Sequence, residues 1–211
     1  LEKIGLILVL VLKWTAKIVH SYGMAIILMG VMVTALLAPF TLLSFRSMKK
    51  MQGLQPKMDQ LKKKYEKDPT KLNKEMLLLF RENKVSPLSG CLPMLVQMPI
   101  FFALWSAISH VIEFRGAQFL WIKDLSLPDR MAKIPGGFDI NLLPILMAIA
   151  MYFQTKLTQK NTTASSNVPS VLSGPMMPIV FGVMFYGVPS SLVLYWLTNS
   201  LMSIAIYRTS K

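Results

Sequence analysis

Cysteine occurs once in the 211 residues, at Cys91, which excludes an internal disulfide framework and a Cys-rich metal site. That thiol reads as a small apolar packing group. Charge is scarce too: 16% of residues are charged, against about 25% in an ordinary soluble domain. No Lys, Arg, Asp or Glu lies between Lys17 and Arg46, Lys84 and Glu113, Asp139 and Lys156, or Lys160 and Arg208. Those stretches lack the ionisable groups that intramembrane hydrolysis or ion-coupled transport uses. HExxH, a P-loop lysine and paired carboxylates are absent. Ser106 and His110 stand one helical turn apart, but no orienting acid accompanies them. The chain is therefore not read as an enzyme: no catalytic residue, metal or cofactor is expected. Internal repeats, a mark of many transporters, are missing as well.

What is present is apolar. Hydrophobic residues make up 53% of the chain and the mean hydropathy is +0.48. A transmembrane helix needs roughly 20 such residues. The first two charge-free stretches hold one span each and the third a short one. The last folds back at Gly187-Val188-Pro189-Ser190-Ser191. The expected fold is an all-α integral membrane protein with five spans at 22–43, 86–112, 140–155, 171–188 and 190–207. The segments between them are 44–85, 113–139 and 156–170. Residues 46–84 carry twelve basic side chains against five acidic ones, whereas 113–139 is balanced. Five spans put the basic segment, the Lys156 loop and the C-terminus on one side, which the positive-inside rule makes the cytoplasm.

Residues 1–21 read as an amphipathic helix at the outer interface, with Lys13, Lys17 and His20 at helical spacing and Trp14 and Tyr22 at the boundary. The basic segment reads as a cytoplasmic helical hairpin. Met48, Met51, Leu54, Met58, Leu61 and Tyr65 form one apolar stripe, and Leu72, Met76, Leu79 and Phe80 a second. Asp68-Pro69 supplies a cap and a first-turn proline, and Pro56 is expected to bend the first arm. Its cationic face includes Lys49, Lys50, Lys57, Lys62, Lys63 and Lys64, suited to anionic lipid. No nucleic-acid module or aromatic interleaving is visible, and no DNA contact is expected.

The stretch SPLSGCLPMLVQMPIFFALW, residues 86–105, places Pro87, Pro93, Pro99 and Gln97 within an apolar run. Prolines free backbone carbonyls and a buried amide needs a partner or water. The stretch makes sense if this span lines a wet cavity within the bilayer. Thr34, Asn199 and Ser200, other uncharged polar residues inside spans, are expected to line the same cavity.

That stretch closely resembles the signature span of the YidC family of membrane protein insertases, and YGVPSSLVLYWLTNSL resembles its last two spans. The basic hairpin beginning MKKMQGLQPKMDQLKKKY and the initial interfacial helix fit as well. The resemblance implies a bacterial inner-membrane, multi-pass protein with a cytoplasmic C-terminus. It implies insertion of newly made membrane proteins through a hydrophilic groove open to cytoplasm and lipid, with lipids, the Sec translocon and the ribosome as further partners. It assigns Gln97 and Trp196, with Tyr195 beside them, to the groove, and Pro93, Met98, Pro99 and Phe101 to an apolar client path. Met184 and Phe185 are expected to continue that path on the fourth span. One departure stands out. The family usually carries an arginine five residues before the proline of its P-[LF]-T motif; here the motif is Pro39-Phe40-Thr41 and the position is Thr34. The first residue is Leu, so a fragment of a longer protein is expected. The competing function is a small channel or transporter using the groove for solute.

Overall fold

The computed structural model describes residues 2–66, 68–85, 92–110, 112–133, 139–158 and 176–209. Residues 86–91, with Pro87 and Cys91 at the start of the second expected span, and 159–175, where most of the expected 156–170 loop and the start of the fourth span fall, lie outside the described residues. Helix α1 runs over Glu2–Val19. It buries Leu8, Leu12, Thr15 and Ala16 against the bundle and leaves Leu6, Leu10, Trp14 and Ile18 exposed. His20 turns the chain with a left-handed φ of 55°, and Ser21 caps the next helix by accepting from Met24 N–H.

Helix α2 spans Tyr22–Gly53, 32 residues, or about 48 Å at 1.5 Å per residue. It therefore outruns the roughly 30 Å hydrocarbon core and carries Lys49 and Lys50 outward without a break. The backbone stays helical past residue 43, where the first span was expected to end. The break comes at Leu54, where α3 (Gln55–Lys64) begins with Pro56 in its first turn. Proline at that position loses no intrahelical bond, so it starts a helix instead of bending one. Helix α4 covers Pro69–Glu82 and is capped by Asp68, which accepts from Lys71 N–H at 3.1 Å. The two arms close on Leu54, Met58, Met76, Phe80 and Val85.

Helices α5 (Leu92–His110), α6 (Leu142–Thr158), α7 (Met176–Met184) and α8 (Ser190–Thr209) complete the bundle. A 3₁₀ turn, Phe185–Gly187, extends α7. Helix α8 is central: α2 and α6 both pack along it, α1 lies on α2 and α5, and α6 holds α7. Small residues permit the close approaches. A Cβ on Gly30 would lie 3.1 Å from Thr198 Cγ2, and one on Gly182 the same distance from Ala148 Cβ, as helix pairs in lipid require. Among the described residues, α2 is the one helix both long and apolar enough to cross a membrane; Leu142–Leu157 and Met176–Gly187 are shorter apolar helices.

The loop between α5 and α6 adds a feature that the all-helical expectation missed. Strands β1 (Ala132–Lys133) and β2 (Asp139–Ile140) pair antiparallel. This loop gathers the N-terminal ends of α2, α6 and α8. Phe119 covers Gly23, leaving no room for a Cβ. Asp129 receives Leu143 N–H at 2.9 Å, and Ser190 N–H reaches Leu127 O at 2.9 Å. Arg46, Lys49, Lys50, Lys156 and Arg208 belong to the opposite ends of those helices.

Lys13 Nζ meets Glu113 Oε1 at 2.7 Å, tying α1 to the segment after α5. The bond and charge of Glu113 raise the Lys13 pKa, and the bond from Lys13 holds that of Glu113 below the carboxylate range. A depressed acid stabilises above its unfolded pKa, and a raised base below its own. The tie is thus present between the carboxylate and lysine ranges and lost at either extreme. Glu113→Gln should lower the melting temperature slightly at neutral pH. The difference should vanish as pH falls through the depressed Glu113 pKa. An unchanged difference in acid would assign the effect to packing.

Candidate functional site

Helix α8 carries two polar contacts one turn apart. Tyr195, whose ring is buried, accepts a hydrogen bond from Gln97 Nε2 at 3.0 Å, linking α8 to α5. Four residues on, Asn199 Oδ1 lies 3.2 Å from the hydroxyl of Thr34, which donates to Gly30 O at 2.7 Å on its own helix. A hydroxyl has one proton; with the Asn199 amide turned over, its NH₂ would donate to Thr34 and both groups would be satisfied. At 1.5 Å per residue the two pairs stand about 6 Å apart along the axis. They join α2, α5 and α8 in one polar seam.

The helical period decides which of the expected residues share that seam. Tyr195 and Asn199 are four apart and lie on one face. Ser200 is buried on another face and is not bonded to Thr34 or Gln97. Trp196 turns away into an aromatic cluster, with ring centroids 5.6 Å from Phe101, 6.0 Å from Phe181 and 5.5 Å from Phe185. Phe185 is 2% exposed, so its ring lies inside the bundle and does not face lipid as the client-path expectation required. Met184 beside it is 57% exposed, and Met98 and Pro99 are exposed on α5. Phe101 is half-buried and meets Phe185 at 6.1 Å, bridging α5 and the end of α7. Pro93 lies in the first turn of α5, with its side chain outside the described residues. Lys49, Lys50, Lys57, Lys63 and Lys64 are exposed on the cationic end and hairpin, and Lys62 is half-buried.

Toward the loop end the seam gives way to an apolar plug. Ala25, Ile26 and Met29 of α2, Ala103 and Leu104 of α5, and Leu192 and Val193 of α8 are all buried there. Leu125, Ile122 and Phe114 of the loop close over them. The polar clamp holding that loop was missed from the sequence. Asp129, 4% exposed, accepts from Leu143 N–H and from Trp121 Nε1–H at 3.3 Å. Asn141 donates to Tyr186 O at 2.6 Å and accepts from Arg130 N–H at 3.1 Å. It stands directly before the first residue of α6, and its side chain ties the loop to the turn after α7, while Asp129 serves an N–H in the first turn of the helix. Burial pushes the nearby Asp124 carboxyl up, but bonds from the Ser126 hydroxyl and N–H outweigh it and hold the pKa below the usual range.

The 60Kd inner membrane protein family model matches residues 14–209. The chain is 43% identical over 205 residues to a membrane protein insertase YidC of Syntrophobacter fumaroxidans, covering 94% of this chain and 36% of that one. It is 45% identical over 198 residues to the YidC of Pelobacter propionicus, covering 92% and 35%. The chain thus spans about a third of the length of these curated relatives. A crystal structure titled as an active YidC insertase with its first transmembrane domain resolved superposes with a TM-score of 0.73 at 35% identity, over 97% of this chain and 45% of that one. With a family match across nearly its whole length, and a shared fold at that identity, the chain belongs to the 60Kd inner membrane protein, or YidC, family.

Proposed function

We propose that this chain is the bilayer-embedded core of an insertase, moving newly made membrane proteins from the cytoplasmic side into lipid. Five spans are α2, α5, α6, α7 with its 3₁₀ turn, and α8. The cationic end, with the hairpin, faces the cytoplasm of a bacterial inner membrane. The observation that carries the reading is the polar seam of Gln97–Tyr195 and Thr34–Asn199 inside an otherwise apolar bundle, stopped toward the loop by a plug.

A client's hydrophilic tail cannot enter hydrocarbon bare, because each unsatisfied backbone group costs several kcal/mol there. Amide and hydroxyl groups at mid-depth, together with water from the cytoplasmic end, lower that cost. The client's apolar helix then moves sideways past Met98 and Pro99 on one flank and Met184 on the other. Its burial in lipid supplies the driving force, with no catalytic residue, ATP or cofactor in the cycle. The hairpin lysines meet anionic headgroups, and the Sec translocon and the ribosome are the further partners of this reading.

The test is protease-protected insertion of a small single-span protein into vesicles containing only this chain. Insertion should occur, and Gln97→Leu, which strands the Tyr195 hydroxyl, should slow it about fivefold, in line with roughly 1 kcal/mol for an interhelical polar contact. Vesicles loaded with a small dye should stay sealed. Dye leakage without insertion would instead identify a solute channel.

A further inference from the structure

Away from the polar seam, α6 and α7 enclose a second concavity of about 520 Å³, lined almost wholly by apolar atoms. Its floor is the close contact of Ala148 with Gly182, where small side chains let the two backbones approach. Its walls are larger side chains, Ile145 and Ile149 from α6 and Ile179 and Val183 from α7. Those walls open outward: Ile179 is 59% and Val183 71% exposed. The volume falls in the range of roughly 300–1,000 Å³ typical of sites for small ligands.

One end of this groove is charged and the rest is not. Tyr152 closes the lining on α6, and Lys156 Nζ lies over its ring, 5.9 Å from the centroid. No carboxylate among the described residues pairs with Lys156. From Lys156 back to Ile145 is eleven residues, about 16 Å along the helix. One leaflet of a hydrocarbon core about 30 Å thick is about 15 Å deep. A cation at the headgroup level thus stands over an apolar trough as long as one acyl chain. We infer that the trough between α6 and α7 holds one acyl chain of an anionic phospholipid, its phosphate beside Lys156. This rests on the reading of α6 and α7 as spans with Lys156 at the cytoplasmic end.

The occupant is a lipid and not a client helix because of volume and charge. A helix about 10–12 Å across with its side chains, laid along about 16 Å, occupies more than about 1,000 Å³, roughly twice the trough's 520 Å³. The cation at the mouth favours a phosphate over a neutral chain end, and a zwitterionic headgroup offers no net charge to it.

The experiment reconstitutes the protein in vesicles of phosphatidylcholine and phosphatidylglycerol, extracts it in mild detergent and weighs it intact by native mass spectrometry. One phosphatidylglycerol should remain bound in preference to phosphatidylcholine. Lys156→Gln should cut that preference about fivefold, as about 1 kcal/mol per surface cation implies. Ile149→Trp, which fills the trough from its exposed wall, should remove the bound lipid, and Val183→Trp repeats this from the other helix if the first variant misfolds by circular dichroism. Equal retention of both lipids, or retention indifferent to these substitutions, overturns the inference. Insertion by the unmodified chain, run on the same vesicles, separates the two readings: insertion with no preferred lipid overturns only the lipid site.

Discussion

Asp129→Ala should destabilise the protein by about 3 kcal/mol, because it strands two donors, Leu143 N–H and Trp121 Nε1–H, each costing roughly 1–3 kcal/mol once unpaired in a buried site. Leu143 is the second residue of α6, so the variant also uncaps that helix. For a chain of this size the loss corresponds to roughly 6–12 °C in melting temperature. Because the same loop holds Ser190 and Ser191 of α8 through Leu127 and Leu125, the damage should spread to the closed end of the bundle. Protease added from the loop side should cut within 112–133 faster than in the unmodified protein. Both donors reach the same carboxylate oxygen, Oδ2, so Asp129→Asn, with its amide oxygen in that place, can accept both and should recover most of the stability, less the charge-assisted part of each bond. A melting temperature unchanged in Asp129→Ala would mean that the loop is held by its apolar contacts alone.

Thr34→Arg should raise insertion of a client with an acidic tail about tenfold, equal to about 1.4 kcal/mol, and leave a neutral-tailed client within about twofold. The position faces α8 within the polar seam, and the Asn199 amide lies within reach, able to turn its oxygen toward a guanidinium. A unit charge about 4 Å from a carboxylate is worth about 4 kcal/mol at an effective dielectric constant near 20, and the desolvation of arginine consumes much of that. Thr34 offers no such charge: its hydroxyl is occupied by Gly30 O on its own helix. Both clients gaining equally would show that arginine widens or wets the groove without pairing with the tail. Neither inserting, with the helical spectrum retained, would mean that this segment is not sufficient for insertion.

Part of the site is legible in the amino-acid sequence. Gln97 stands out because a long amide beside Pro99 in a charge-free run must find a partner. Its partner, Tyr195, lies in a motif that the family resemblance ties to the same cavity, yet nothing in the sequence pairs residues 98 positions apart. Thr34 is visible as a missing charge, but its contact with Asn199 depends on how closely α2 approaches α8 at Gly30. Phe185 misleads: an aromatic at the end of an apolar run suits a lipid face as well as a core. Its ring, at the start of the 3₁₀ turn Phe185–Gly187, packs on Phe101 and Trp196. The Asp129 clamp is unreadable for a different reason. A single acid in a balanced loop has no periodicity, and its role appears only when the N-terminus of α6 arrives beside it.

By itself the sequence determined the apolar segments, the clustering of the cations, the turn at 187–191 and the cap at Asp68. All of these are local: they follow from the period of a helix, the exclusion of charge from hydrocarbon and the demands of orphan N–H groups within a turn or two. Only the tertiary structure decided that α2 runs unbroken into the hairpin, that polar side chains from three helices meet in pairs, and that one loop seals the opposite end. These are long-range outcomes, set by which small residues let helices touch and which buried donors find an acceptor far along the chain. A side chain's neighbours across a bundle depend on every packing choice between them, and one sequence read residue by residue does not contain that sum in any local pattern.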